Sequence, residues 1–158
     1  MTLLLLHNLH STVLNIMPEM TIEAVNQAEL PKLCNLFNLA RVKNGCFPDE
    51  TFEMAEFAQV IEGERLFVSR IANKITGFAS VWEPDNFLHH LYVSPQYQRQ
   101  GVGSALLDYC VNLFGLPMTL KCIKANVAAC DFYEKHGWHI AEKAEGPEGK
   151  YFLYIRET

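Results

Sequence analysis

No apolar stretch of this sequence is long enough to cross a membrane, because the leucine run at residues 3–6 falls far short of the roughly 20 residues that a span requires. The same segment lacks the basic flank and the longer apolar core of a secretory signal peptide. No membrane partner is therefore expected. We predict that residues 1–18 form a disordered or loosely docked extension, with Met17 and Met20 as alternative translation starts.

Cysteine pairs at metal-binding spacing are absent as well. The number of cysteines is odd, and no two of them stand in a C-x-x-C arrangement. The five are Cys34, Cys46, Cys110, Cys122 and Cys130. This pattern favours ordinary thiols in a reducing, cytoplasmic compartment over a disulfide framework or a zinc site, so no metal is predicted.

Positive charge is scarce in the chain. Lysine and arginine total 13 against 18 acidic residues, which gives a formal net charge of -5. A protein that binds a phosphate backbone presents a basic face, so nucleic acid is not an expected partner. The 158 residues, of which 49% are hydrophobic, are enough for one globular domain, which we place at residues 19–158.

The hydrophobic pattern alternates between the periods of strands and helices. In chain order it predicts a strand, two helices, three strands, a helix, a strand, a helix and two strands. The predicted strands are residues 21–25, 66–71, 75–82, 87–93, 118–122, 138–142 and 151–156. The predicted helices are residues 30–40, a segment that begins near 48–49 and runs to 61, 102–113 and 127–136, and a polar turn fills 145–149. This order favours an α/β fold with a mixed sheet and helices on both faces.

A glycine-bearing loop joins the strand at 87–93 to the helix that follows. Gly101 and Gly103 stand in the first turn of that helix, where each costs roughly 1 kcal/mol relative to alanine. Close approach of the backbone to a ligand is the usual reason for such glycines, and the free N–H groups of a helix N-terminus attract a pyrophosphate. The alternative is a plain loop in which the glycines serve packing.

Two common nucleotide-binding motifs do not fit this loop. The dinucleotide fingerprint needs a third glycine where the chain has Leu106, and no Gly-Lys-Ser/Thr sequence follows as in a Walker motif. A nucleotide-binding fold of either class is therefore disfavoured.

The loop resembles the acetyl-CoA-binding motif of the GCN5-related N-acetyltransferase (GNAT) family, Q/R-x-x-G-x-G/A, with Gln98, Gly101 and Gly103 in the fixed positions. A second segment, from Asn126 to Trp138, resembles the family's N-x-x-A-x-x-F-Y-E-K-x-G-F sequence, with Trp138 in the usual phenylalanine place. The resemblance covers roughly residues 20–156. It implies the GNAT fold, a mixed and mostly antiparallel sheet of about six to seven strands, with a splayed, V-shaped cofactor cleft between the strands at 87–93 and 118–122.

The resemblance also implies acetyl-CoA as the acetyl donor and assigns residues to it. Main-chain groups of residues 91–93 are expected to pair with the pantetheine arm, and the N–H groups of residues 99–104 to hold the pyrophosphate. The cofactor-binding residues that it implies are Leu91, Tyr92, Val93, Gln98, Arg99, Gln100, Gly101, Val102, Gly103, Ser104, Asn126, Ala129, Phe132 and Tyr133.

Acetyl transfer to an amine needs a neutral amine, a polarised thioester carbonyl and a proton for the leaving thiolate. Direct attack in a ternary complex meets these needs without a cysteine or serine nucleophile. The resemblance implies that Tyr133 protonates the sulfur, and the alternative is a core tyrosine. It also places His89 where many family members carry the general base, and the alternative is a sheet histidine bonded to a neighbour.

Three further titratable residues bear on the acid–base chemistry. Glu83 is the second candidate for the base. His90 is adjacent to His89 in a strand, so the two are predicted to point to opposite faces, with His89 on the side of Leu91 and His90 in a structural role. His136 is expected to be a solvated residue at the end of its helix.

The acceptor is expected to enter between the first two helices, their loop and the last strand pair. The polar and aromatic residues in and near those segments are Arg41, Asn44, Phe47, Asp49, Glu50, Phe52, Glu53, Glu56, Trp82, Glu83 and Asp85. Because acids outnumber bases among them, we predict a cationic acceptor, a small amine or a protein lysine or N-terminus, bound by a monomer or homodimer. The competing hypothesis is a catalytically silent acyl-CoA sensor, which the intact glycines and Tyr133 disfavour.

Overall fold

Seven strands and four α-helices follow one another in the predicted order in the computed structural model, which describes residues 18–47 and 50–158. The strands are β1 (Met20–Ala24), β2 (Arg65–Ile71), β3 (Lys74–Trp82), β4 (Phe87–Val93), β5 (Met118–Ile123), β6 (His139–Gly146) and β7 (Gly149–Arg156). The helices are α1 (Leu30–Asn44), α2 (Met54–Val60), α3 (Val102–Phe114) and α4 (Val127–Lys135). The predicted extension at residues 1–18 lies outside the described residues except for its last residue. In the part of the chain that the structure describes, no helix combines the length and the apolar character needed to span a bilayer.

The second helix starts later than the sequence predicts. Its predicted start at residues 48–49 lies outside the described residues, and α2 begins at Met54. A capping box sets this start, since the Glu53 N–H donates to Glu56 Oε2 at 2.8 Å while the Glu53 side chain caps the helix in return. Both carboxylates are therefore part of the helix end.

The final hairpin is longer than predicted. Strands β6 and β7 stay paired up to Gly146 and Gly149, so most of the predicted polar turn at 145–149 is strand. Only Pro147 and Glu148 remain as the turn. Main-chain pairing thus overrides the turn-forming composition of this segment.

The strands form one sheet in the order β1-β2-β3-β4-β5-β7-β6. Among the described strands only β4 and β5 are parallel neighbours, and every other pair is antiparallel. Strands β4 and β5 are paired only at Phe87↔Thr119 and Leu88↔Leu120, after which they diverge. The mixed, mostly antiparallel sheet and its V-shaped opening are therefore confirmed.

Helices cover both faces of the sheet, as predicted. On one face α3 buries Val102, Leu106 and Cys110 at four-residue spacing against a core that includes Ala79 of β3. On the other face α1 and α2 pack on a core that includes Phe78, the neighbour of Ala79 along β3. Consecutive strand residues point to opposite faces, so the two cores lie on opposite sides of the sheet.

Strand β4 contains a bulge at His89. Ser80 of β3 is opposite His90, whereas the next residue, Val81, is opposite Leu88, so His89 is an extra residue in the ladder. Bulges bend a strand and re-aim its side chains. The prediction that His89 keeps the parity of Leu91 is therefore wrong, because the extra residue interrupts the two-residue alternation.

Candidate active site

A cleft of about 1220 Å³ opens where β4 and β5 diverge, and it runs from the start of α3 to the last turn of α1. The cofactor-binding residues that the sequence predicts meet along it, with two exceptions. Those that line the cleft are Leu91, Tyr92, Val93, Gln98, Arg99, Gly101, Gly103, Ser104, Asn126, Ala129, Phe132 and Tyr133. Val102 is instead buried in the core, and Gln100 is exposed with its side chain bonded to the Gln96 carbonyl.

The loop before α3 has the backbone of an anion site. Arg99 and Gly101 both adopt positive φ, of 61° and 83°, and Gly101 is the N-cap residue of the helix without a side-chain cap. The first main-chain bond of the helix is donated by Ala105 to the Gly101 carbonyl at 3.0 Å. The N–H groups of residues 102–104 therefore precede the helical ladder and are directed to the N-terminal end, where an anion is favoured.

His136 joins the end of α4 to the start of α3. Its Nδ1–H donates to the Phe132 carbonyl at 2.7 Å, so its Nε2 accepts the Ser104 hydroxyl at 2.9 Å when the ring is neutral. The prediction of a solvated end residue is wrong, because the side chain is half-buried between the two helices. Asn126, at the other end of α4, uses its Oδ1 to accept the N–H of Ala129 at 3.2 Å.

Tyr133 lines the cleft from α4. Its ring packs near Trp138 and Tyr154, with centroids 6.1 and 6.0 Å away. Within the described residues its hydroxyl makes no hydrogen bond. Burial, with Cys122 and Tyr92 nearby, raises the pKa of the Tyr133 hydroxyl above its ordinary value, so the phenol carries its proton at neutral pH.

His89 lies in the cleft beside a carboxylate that the sequence analysis does not single out. The His89 Nδ1 contacts Glu64 Oε1, and the His90 Nδ1 lies 3.4 Å from Glu64 Oε2. His90 also hydrogen-bonds the Ser80 hydroxyl, with 2.7 Å between Nδ1 and Oγ. The Glu64 side chain is 5% exposed and that of His89 is 41% exposed, so a buried carboxylate supports a cleft-facing imidazole. Glu64 belongs to no recognisable sequence motif, and its partners lie on another strand. The sequence pattern therefore could not predict its role in the site.

The charge states of this group follow from its surroundings. Burial alone would raise the pKa of the Glu64 carboxyl, but the hydrogen bond from His89 and the polar groups of His90 and Ser80 nearby hold it at about 2. Burial lowers the pKa of His90, which is therefore neutral near pH 7. An ionised carboxylate only accepts hydrogen bonds, so the His89 nitrogen that contacts Glu64 is the protonated one.

Glu83, the second candidate for the base, lies elsewhere. It follows β3 in a short turn, pairs with Arg65 at 3.3 Å and has a side chain that is 53% exposed. It does not line the cleft. Glu83 therefore forms a surface ion pair and is not placed to act as the general base.

The predicted acid-rich wall of the acceptor site is also wrong. Of the residues proposed for it, Arg41, Asn44, Phe47 and Phe52 line the cleft. The residues that lie away from it are Glu50, Glu53, Glu56, Trp82, Glu83 and Asp85, and Asp49 lies outside the described residues. Four of these acids have other places: Glu53 and Glu56 cap α2, and Glu83 and Asp85 stand on the turn after β3.

The part of the cleft that the sequence predicts for the acceptor instead contains a buried cation. The Arg41 guanidinium lies 3.9 Å from the centroid of the Phe47 ring and donates from Nη2 to Glu148 at 3.0 Å. The Arg41 side chain is 8% exposed, whereas Glu148, on the β6–β7 turn, is 46% exposed. This ion pair ties the last turn of α1 to the final hairpin beside the cleft.

The GNAT acetyltransferase family model matches residues 30–138, which is more than half of the chain. This chain belongs to the GNAT family. The family predicted from the glycine loop and the Asn126 to Trp138 segment is thus confirmed, as is acetyl-CoA as the donor that GNAT enzymes use.

Known proteins show the same likeness in sequence and in fold. The chain is 35% identical to the peptidyl-lysine N-acetyltransferase YiaC of Escherichia coli over 71 residues, which are 45% of this chain and 47% of YiaC. This chain therefore matches about half the length of that relative. A GCN5-related N-acetyltransferase from Rhodopseudomonas palustris superimposes with a TM-score of 0.76 at 18% identity, covering 90% of this chain and 98% of that one. YncA of Salmonella typhimurium, solved with acetyl-CoA, gives a TM-score of 0.69 at 18% identity, covering 88% and 94%. The two structures confirm the fold.

Proposed function

We propose that this GNAT domain transfers the acetyl group of acetyl-CoA to a primary amine by direct attack of the amine on the thioester in a ternary complex. The observation that carries the proposal is the loop with positive φ at Arg99 and Gly101. It leads into the first N–H groups of α3, which have no partner within the helix and face the β4–β5 opening. A pyrophosphate at the helix N-terminus directs the pantetheine arm along the edge of β4. The thioester then lies deeper in the cleft, between Tyr133 and His89.

The proton transfers use the two titratable side chains that the cleft presents. His89 takes a proton from the amine as the N–C bond forms at the thioester carbon. Tyr133 gives its proton to the sulfur as the C–S bond breaks. Burial raises the pKa of the phenol, which keeps it protonated but opposes the transfer, whereas the same burial disfavours a free thiolate beside it and so favours protonation of the sulfur.

The acceptor is a primary amine, of a small molecule or of a protein. The likeness to YiaC, which is named for peptidyl-lysine, supports a lysine side chain. Aromatic rings of Phe47 and Phe52 at the acceptor end suit the aliphatic stem of a lysine. We also propose a cytoplasmic setting, which the five free thiols support.

The test is release of free CoA from acetyl-CoA in the presence of a panel of amines: a lysine peptide, a peptide with a free N-terminus, a polyamine and an aminoglycoside. Turnover with at least one amine, and a thermal shift with acetyl-CoA that NAD and ATP do not reproduce, are expected. A thermal shift without turnover on any amine would favour the silent sensor. The absence of both would refute the proposal.

A further inference from the structure

We infer that Glu64 is a positioning residue for His89: its buried carboxylate holds one ring nitrogen so that the other faces the acceptor amine. The inference rests on the proposed function, because it concerns the base of that reaction. Glu64 stands just before β2, and its carboxylate meets β4 beyond the intervening strand β3. It is the only carboxylate within the described residues that contacts a histidine lining the cleft.

The bulge makes this contact possible. In a regular strand His89 and His90 would point to opposite faces, and only one of them could reach a given carboxylate. Because His89 is the extra residue of the ladder, both imidazoles turn to Glu64, and their ring centroids are only 3.9 Å apart. Two adjacent residues of β4 thus converge on one side chain.

The burial of Glu64 argues for more than a stabilising role. A carboxylate with 5% exposure is costly to desolvate, and replacing buried charged groups by apolar ones is often neutral or stabilising. Aromatic rings enclose the group on the α1 side, with Phe37 and Phe78 centred 5.7 and 6.4 Å from the His90 ring. A role in orienting the cleft-facing imidazole of His89 explains why a polar cluster lies in such surroundings.

The division of work among the three side chains follows from their contacts. His90 is buried and neutral; its Nδ1 bonds Ser80 and lies 3.4 Å from Oε2, an atom that has no hydrogen-bond partner among the described residues. Oε1 accepts the Nδ1–H of His89, so the lone pair of the other nitrogen, Nε2, is left for the cleft. When His89 takes the amine proton it becomes an imidazolium, and the carboxylate on its other side stabilises that charge.

The same three side chains have ligand atoms within 4.8 Å of one another and offer a second hypothesis, a divalent metal. The hydrogen-bonded arrangement is favoured, because the His90 Nδ1, which lies 3.4 Å from Glu64 Oε2, already bonds Ser80 at 2.7 Å. A metal is therefore an outcome of the test. Dialysis against EDTA should leave turnover unchanged, and loss of activity that Zn²⁺ restores would overturn the positioning role.

The decisive experiment is a double-mutant cycle of Glu64→Gln and His89→Ala with the best amine of the panel. Glu64→Gln should lower kcat about 10- to 100-fold, by analogy with the carboxylates that orient metal-bound histidines, with little change in KM for acetyl-CoA. In the His89→Ala background Glu64→Gln should lower kcat no further, because the carboxylate then has no base to orient. An equal loss in both backgrounds would overturn the inference.

Three further measurements separate positioning from folding and from the proposed function. Glu64→Asp should recover part of the lost kcat, and Glu62→Gln, an exposed neighbour, should match wild type. Histidine-ring ¹⁵N NMR of the wild-type protein needs no turnover and should show His89 as the Nδ1-protonated tautomer. An Nε2-protonated ring would overturn the inference even if Glu64→Gln failed to fold, and absence of turnover with the expected tautomer would refute the proposed function alone.

Discussion

The two glycines at the start of α3, Gly101 and Gly103, should respond in opposite directions to the same substitution. Gly101 has φ of +83°, and a Cβ added there would meet nothing within 4 Å. Gly101→Ala therefore has room, but the left-handed backbone costs an L-residue about 1–2 kcal/mol. Gly103 lies inside α3, and a Cβ there would stand 3.6 Å from Phe132 and Val93, an ordinary contact. Gly103→Ala should therefore stabilise the fold by up to about 1 kcal/mol, because alanine loses less backbone entropy in a helix.

Thermal unfolding without ligand measures both effects. For a domain of this size 1 kcal/mol moves Tm by about 2–4 °C, so Gly101→Ala should unfold about 2–8 °C below wild type. Gly103→Ala should unfold at the wild-type temperature or up to about 4 °C above it. Equal destabilisation by the two variants would refute the left-handed loop as the difference between them.

Adding acetyl-CoA to the same experiment separates folding from binding. Gly103 lines the cleft between Phe132 and Val93, so the branched side chain of Gly103→Val should enter the cofactor path and abolish most of the ligand-induced rise in Tm. Gly103→Ala should keep that rise, since the family motif admits alanine there. Ser104→Ala is the matched control: it loses the bond to His136 but keeps its N–H, so its ligand-induced rise should stay close to wild type. A ligand-induced rise in Tm equal to that of wild type in Gly103→Val would refute the assignment of the pyrophosphate to this loop.

Three other outcomes follow from the structure. Tyr133→Phe should bind acetyl-CoA normally in a thermal shift while kcat falls by about 10²–10⁴, and a wild-type rate would exclude the phenol as the acid. The pKa of Glu64 is lowered from 4.5 to about 2, so its stabilising contribution, about 3 kcal/mol, is complete above pH 4.5 and is lost as the pH falls towards 2. Acid unfolding of Glu64→Gln should lack this contribution, whereas Glu62→Gln should keep it. Deletion of residues 1–18 should leave unfolding and acetyl-CoA binding unchanged, because the first paired strand begins at Met20, and a chain that no longer folds would show that the segment belongs to the domain.

Local patterns explain why the fold and the cofactor end of the cleft could be predicted. The apolar stripe of α3, with Leu106 and Cys110 one turn apart, needs only helical periodicity to be recognised. The glycine loop is a contiguous motif whose function depends on main-chain N–H groups rather than on distant side chains. The β4–β5 opening then follows from the resemblance to the family.

The acceptor end depends on contacts that no local pattern contains. Glu64 and His89 stand 25 residues apart in sequence, and they meet only because β4 gains an extra residue against β3. Arg41 and Glu148 are 107 residues apart and join two different elements beside the cleft. Counting charges near a predicted pocket also failed, because Glu53 and Glu56 are committed to capping their own helix.

Strand β4 loses its regular pairing on both edges at nearly the same residue. Its ladder with β5 ends at Leu88, and its ladder with β3 is interrupted at His89, the next residue. The first break opens the cleft and frees main-chain groups of the following residues on the β5 side. The second break turns His89 towards the buried carboxylate of Glu64. One short stretch of backbone thus accounts for both the opening of the cleft and the orientation of the proposed base, and regular pairing on either edge would remove the feature on that edge.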